Sequence, residues 1–156
     1  MITVKLKPLL INIAIPLLLI GGLSALFTMN SMNLYETINT PPLSPPGWIF
    51  PIVWSILFIL MGIASYIIWE SKSPNSKTAF IVYAAQLIVN FMWSIVFFNI
   101  RAYSFAVVVI IALIILICLN IFYFSKIKGS AGLLLIPYLL WVAFATYLNI
   151  AIAILN

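Results

Sequence analysis

Between Arg101 and Lys126 the chain reads AYSFAVVVIIALIILICLNIFYFS, residues 102–125 without a single charge. A run of that length and hydropathy needs roughly 20 residues to cross a bilayer as a helix and has them to spare. Working outward, the nine charged residues are Lys5, Lys7, Glu36, Glu70, Lys72, Lys77, Arg101, Lys126 and Lys128. They leave five such windows, 8–35, 37–69, 78–100, 102–125 and 129–156, which together cover nearly the whole chain. With 66% hydrophobic and 6% charged residues, against about 45–50% and 25% in soluble domains, no part is left over for a water-soluble unit. Helical segments of this length, with no alternating ten-residue strands, exclude a barrel, because in hydrocarbon every backbone polar group must be satisfied internally. The expected fold is an all-α membrane protein: a single domain over residues 1–156, a bundle of five transmembrane helices at about 8–29, 48–69, 79–100, 103–124 and 131–155.

Composition also narrows the chemistry. The chain has no histidine, one cysteine (Cys118) and two carboxylates, so neither a Ser/His/Asp triad nor a zinc site or disulfide can be assembled within it. No metal site, required cofactor or conventional acid-base catalysis is expected. The formal net charge of +5 comes from residues scattered singly or in pairs at helix ends, which suits anchoring in the bilayer better than nucleic acid. Six of the seven positive charges (Lys5, Lys7, Lys72, Lys77, Lys126, Lys128) fall on one side of a five-span topology and Arg101 alone on the other. That asymmetry places the N-terminus in the cytoplasm, and the C-terminus and the first connection outside. The first apolar run, preceded by Lys5 and Lys7, has some likeness to a cleaved leader, but it approaches a full span and is read as the first helix. The absence of an Arg-rich, amphipathic transit segment favours a bacterial plasma membrane.

The longest connection, 31–47, carries Pro41, Pro42, Pro45, Pro46 and Gly47. Four prolines fix φ and block a helix, so a stiff, mostly extended cover over the outer mouth of the bundle is expected, the alternative being a plain spacer. Gln86, Asn90, Trp93 and Phe97 recur at helical spacing on one face of the third span. Amides at that depth need partners and should face the interior, either bonding between helices or contacting a ligand. Trp48 and Trp69 sit at span ends, as interfacial indoles do. Trp54, Trp93 and Trp141 lie inside their spans on the faces bearing polar or small residues. There they either pack or grip a flat aromatic ligand. The fourth span, with nothing polar before Cys118 and Asn120, is expected to face lipid or a neighbouring subunit. Gly21, Gly22 and Ala25 of the first span, and Gly62 with Ser65 of the second, would permit close helix approach.

Three ordered stretches, PPLSPPGWIFPIVWSILFILMG (Pro41–Gly62), QLIVNFMWSIVFFNIR (Gln86–Arg101) and LLIPYLLWVAFATYLN (Leu134–Asn149), resemble the TspO/MBR family of tryptophan-rich sensory and translocator proteins over nearly the whole chain. The resemblance implies a five-helix bundle, commonly a homodimer, with a pocket under the first connection that binds porphyrins. In relatives that pocket also takes benzodiazepine-type or isoquinoline drugs and, in mitochondria, cholesterol. Carried over residue by residue, it implies a lining of Trp54, Phe58, Gln86, Asn90, Phe97, Tyr138, Trp141, Phe144 and Ala145, to which the spacing above adds Trp93. Trp54 and Trp141 match tryptophans linked in bacterial relatives to light-driven porphyrin breakdown. The family pattern is departed from at Leu34-Tyr35, where many members have Trp-Tyr, and at Thr40-Pro41 and Leu43, where they carry Lys-Pro and an aromatic residue. The cover is thereby less aromatic and lacks its usual cation, leaving propionates to Arg101, loop amides or water. No basic residue follows Tyr147, so the sterol motif is missing. The function expected is a membrane receptor or carrier for a tetrapyrrole, metal-free because no histidine is there to ligate haem iron. The alternatives are a light-dependent porphyrin-degrading enzyme using Trp54 and Trp141, or a transporter of sterol- or lipid-like molecules.

Overall fold

A computed structural model describes residues 3–28 and 34–156. It contains five helices long and apolar enough to cross a membrane: Leu6–Thr28, Ile49–Ser71, Ser76–Ile100, Tyr103–Ile127 and Gly129–Leu155. A sixth, short helix, Leu34–Thr37, lies in the first connection. The chain is an integral membrane protein, with no strand among the described residues. Four helix ends, at Leu6, Ser71, Ser76 and Ile127, run two residues beyond the apolar windows, the backbone hydrogen bonding carrying on past the charged residues that bound them. The expected end of the first span at Met29, and residues 31–33 of the first connection, lie outside the described residues. Lys72 and Arg101 close the second and third spans in the left-handed conformation, at φ 51° and 60°, where glycine is the usual choice.

The spans form a ring in the order first, second, fifth, fourth, third. The fourth span packs along both the third and the fifth with one face and leaves the other exposed, the face on which the expected lipid or neighbouring subunit would lie. Ala106, Val109, Ile110, Leu113, Ile117, Asn120 and Phe124 are buried at spacings of three to four, and only the opposite face, with Phe105, Val108, Ile111, Ile115 and Phe122, is exposed. A uniformly apolar helix offers no hydropathy contrast from which the buried face could be read. Asn120 is 1% exposed and neither atom of its amide has a partner.

The first span is attached differently. Only 6% of its most apolar window is buried, so it leans on the bundle at its two ends and along one line. At its start the Lys5 backbone N–H donates to the Tyr66 hydroxyl at 2.8 Å, and the Lys5 ammonium lies 3.5 Å from a Glu70 carboxylate oxygen. One turn further in, Gly62 of the second span abuts the Ile13 backbone; a Cβ there would collide with Ile13 Cα and lie 2.9 Å from the Asn12 carbonyl oxygen. Ser65 donates to Asn12 Oδ1 at 2.9 Å beside it. The small pair Gly62 and Ser65 therefore does serve close approach, as the sequence suggests. Pro16 has no N–H to give the Asn12 carbonyl, and the helix widens into a π turn over Ile15–Gly21. Beyond it the span reaches across to the third, where Asn99 Nδ2 donates to the Phe27 carbonyl at 2.8 Å. A second π turn, Ile95–Ile100, ends the third span at that level.

The first connection corrects the expectation of a mostly extended cover, since it includes a helical turn at Leu34–Thr37, ahead of the first proline. Tyr35 is buried and donates to the Pro45 carbonyl at 2.8 Å, folding the proline segment back on the turn. The fifth span holds it down: Tyr147 donates to the Pro42 carbonyl at 2.8 Å, and Asn156 Nδ2 donates to the Asn39 carbonyl at 2.9 Å.

Two stability effects follow. Gly62→Val forces the first and second spans apart and costs about 1–3 kcal/mol, read as a lowered Tm in detergent; an unchanged Tm would show that the crossing is not tight. Asn120→Leu removes an unsatisfied amide from the interior and raises the Tm, by about 1–3 kcal/mol of stability on the same assay; a loss instead would mean the amide is partnered.

Candidate functional site

Because the first span packs along one line only and leaves most of its surface uncovered, a cavity of about 510 Å³ is left between it and the second, third and fifth spans, in the half beneath the first connection. Trp54 and Phe58 line it from the second span, Asn90, Trp93 and Phe97 from the third, and Trp141 and Ala145 from the fifth. The rings stand in pairs: Trp93 stacks on Phe97 at 5.3 Å and 28°, Trp54 lies over Phe58 at 5.6 Å and 31°, and Phe50 meets Trp141 edge-on at 5.9 Å. No charged residue lines the space. Arg101, the one cation on this side, is exposed beyond the end of the third span and does not reach in.

Three residues expected in the lining are not there. Gln86 and Tyr138 are fully buried one layer behind Asn90, at 0% and 1% exposure. Tyr138 donates to Gln86 Oε1 at 2.7 Å and accepts from Asn90 Nδ2 at 2.8 Å, so both belong to the wall that holds Asn90. Phe144 is packed between Trp141 and Tyr147, at 5.6 and 6.1 Å, because three residues along the helix turn it past the cavity face. The prolines 41, 42, 45 and 46 and Gly47 do not line the cavity either; from the first connection Tyr35 does, and Phe50 closes in beside it from the start of the second span. Trp48 and Trp69 are exposed at the two ends of the second span, as expected of interfacial indoles.

Sequence reasoning missed the entire wall contributed by the first span: Leu17, Leu18, Gly21, Gly22, Ser24, Ala25 and Thr28. The signal available was the run of small residues at 21, 22 and 25, read only as a place for close helix packing. At Gly21 that reading holds, since a Cβ would stand 3.0 Å from the Phe58 ring. At Gly22 nothing lies within 4 Å, and the missing side chain leaves open space. Leu18, Gly22 and Ala25, with Pro51 and Ser55 opposite, both line the cavity and are exposed, so the cavity opens sideways between the first and second spans, at the level of the apolar belt.

The remaining polar groups are mostly committed to one another. Trp93 Nε1 donates to Asn149 Oδ1 at 3.0 Å, and Asn149 Nδ2 donates to the Tyr103 carbonyl at 3.0 Å. Trp141 Nε1 is buried without a partner. The result is an apolar, uncharged chamber with tryptophan walls and a few placed hydrogen-bonding atoms, the make-up general to small-molecule pockets.

A profile of the TspO/MBR family matches residues 12–155. The chain belongs to the TspO/MBR family. It is 40% identical over 140 residues to the tryptophan-rich protein TspO of Archaeoglobus fulgidus, covering 89% of this chain and 91% of that one. Similarity to the Chlorobaculum tepidum protein of the same name is 38% over 144 residues, covering 89% and 90%. To the translocator protein of Bos taurus it is 34% over 133 residues, covering 83% and 79%. In this TspO/MBR chain Trp54, Trp93 and Trp141 are walls of one cavity, and the proline-rich connection is tied by Tyr35 to the cavity's upper edge.

Burial pushes the Tyr35 phenol above the ordinary tyrosine range, against a smaller opposing effect of Ser44. The closed connection therefore keeps its proton longer than an open one, and the stabilisation present at neutral pH is lost as pH climbs through and beyond that range. In an ultraviolet titration, the difference between the wild type and Tyr35→Phe should ionise above the ordinary value near 10; ionisation at or below it would mean the residue is not covered.

Proposed function

We propose that this TspO/MBR protein is a membrane receptor or carrier for a flat, apolar tetrapyrrole of the metal-free protoporphyrin type. The observation that carries the proposal is the uncharged cavity of about 510 Å³ with Trp54, Trp93 and Trp141 in its walls. That volume falls within the roughly 300–1,000 Å³ of small-molecule sites, and indole faces are the side chains that best hold a conjugated ring by its π surface. The lack of histidine throughout the chain removes the usual axial ligand of a haem and favours the free base. With no cation in the lining, the propionates belong at the rim, beside the first connection and Arg101, while the macrocycle lies within. The sideways opening between the first and second spans suits a ligand that partitions into the bilayer before it binds. Relatives carry the names sensory protein and translocator protein, and a bound-ligand receptor and a carrier make the same demand on the cavity.

The same reading sets the protein in a bacterial plasma membrane as a homodimer, with the end bearing Lys5, Lys72 and Lys126 in the cytoplasm. Six positive charges on that side against Arg101 on the other support the orientation.

The test is a titration of the purified protein with protoporphyrin IX in the dark, following the Soret shift and tryptophan quenching, with darkness keeping binding apart from photochemistry. Saturable binding is expected, weakened about tenfold in Trp54→Phe/Trp141→Phe and in Asn90→Leu. Unchanged curves for both variants, or no saturable binding by the wild type, would overturn the proposal.

A further inference from the structure

We propose that the sideways opening makes the cavity a binding site for one acyl chain of a phospholipid whose headgroup stays at the interface beside Trp48, and that any other ligand of the cavity displaces this chain. The inference goes beyond the tetrapyrrole reading, because it concerns the occupant of the resting protein in its bilayer and holds whatever the second ligand is.

The opening lies at the depth of a chain and below that of a headgroup. It is bounded by Leu18, Gly22 and Ala25 on the first span and by Pro51 and Ser55 on the second, each exposed on one side and lining the cavity on the other. The exposed indole of Trp48 marks the interface at the start of the second span. At 1.5 Å per residue, Pro51 and Ser55 lie roughly 5 and 10 Å beneath it, beside the first carbons of a chain that hangs from the headgroup region. At Gly22 a Cβ would meet nothing within 4 Å, so the helix surface is recessed in the middle of the passage. Among the described residues, the polar contacts between the first and second spans all lie in the other half, at Lys5 and Asn12, and none bars the way.

The interior favours hydrocarbon over water. A buried water needs about two to four polar partners, and the lining has few to spare. Thr28, Tyr35 and Ser55 already give their hydroxyl hydrogens to main-chain carbonyls, and the Trp93 N–H is given to Asn149. A chain that turns in from the bilayer leaves one apolar medium for another, so no hydration is lost or gained. Its gain is dispersion contact with Leu17 and with the rings of Phe58, Trp93 and Phe97. No charged residue lines the space to draw a phosphate inward, so the headgroup remains outside.

The test is quenching of tryptophan by bromine carried mid-chain on phosphatidylcholine, which acts only on near contact. Trp48→Phe/Trp54→Phe/Trp69→Phe removes the two exposed indoles and the one beside the opening. It leaves Trp93 and Trp141, which line the cavity on the third and fifth spans, away from the passage. In dioleoyl phosphatidylcholine vesicles with a rising fraction of the brominated lipid, this protein should lose emission in proportion to that fraction, as a single lipid site requires. Gly22→Leu fills the recess at an exposed position, improves helix propensity and should restore most of the emission. Ala25→Leu should do the same if the first substitution does not yield folded protein, and Trp48→Phe/Trp69→Phe replaces the triple exchange on the same ground. The proposal is overturned by emission that bromine leaves untouched, by a steeply curved loss of the kind that several lipids around the outside produce, or by quenching that persists in the folded Leu variants. Protoporphyrin IX titration of the wild type is read apart from this. Saturable porphyrin binding without bromine quenching rejects the acyl chain alone, and bromine quenching without porphyrin binding rejects the tetrapyrrole alone.

Discussion

In hydrocarbon, a polar group that finds no partner within the protein finds none at all, and the inner architecture of this bundle is organised around that constraint. Gln86, Asn90 and Asn149 each sit on a buried helix face, and each is drawn to a specific partner on another span: Tyr138 for the first two, Trp93 and the Tyr103 carbonyl for the third. These bonds tie the third, fourth and fifth spans into one body. Asn120 is the exception that tests the rule, an amide buried without reward in a helix that is otherwise all packing.

The first span obeys a looser version of the same constraint. It carries few polar side chains and, away from its two ends, needs the bundle mainly for contact. Contact is supplied at Gly62 and at the two ends, through Lys5 with Tyr66 and Glu70, and through the Phe27 carbonyl with Asn99. Between these points Pro16 widens the helix, small residues face inward, and the space they leave is the cavity. The chamber is thus a consequence of incomplete packing by one helix against a well-packed set of four. Its opening lies where that helix is least held. The first connection closes the top with Tyr35 and is itself pinned to the fifth span through Tyr147 and Asn156, so cover and bundle are joined at the upper edge of the cavity.

The five spans were legible from charge spacing alone, because a bilayer demands about 20 uncharged residues and hydropathy registers that demand directly. The inward faces of the second, third and fifth spans were legible from the helical spacing of tryptophans and amides, since rare polar groups in an apolar helix mark the side that is not lipid. That spacing could not separate the layer touching the cavity from the layer behind it. Gln86 and Asn90 are one turn apart on the same face, yet only Asn90 reaches the space, and Phe144 is turned away by its three-residue offset from Trp141. Which face of the fourth span is buried was not legible, because uniform hydrophobicity conceals the face packed by shape.

What the sequence by itself determined was membership of the membrane, the number of crossings, the family and the aromatic, uncharged character of the site, all properties of residue type and order along one helix. The tertiary structure alone decided that the first span supplies a wall, that the cavity opens sideways and that a helical turn precedes the proline cover. Each of these depends on which spans are neighbours and how closely two helices approach. In an apolar medium such choices are made by side-chain shape and by single hydrogen bonds between distant residues, and neither has a period that can be read along the chain.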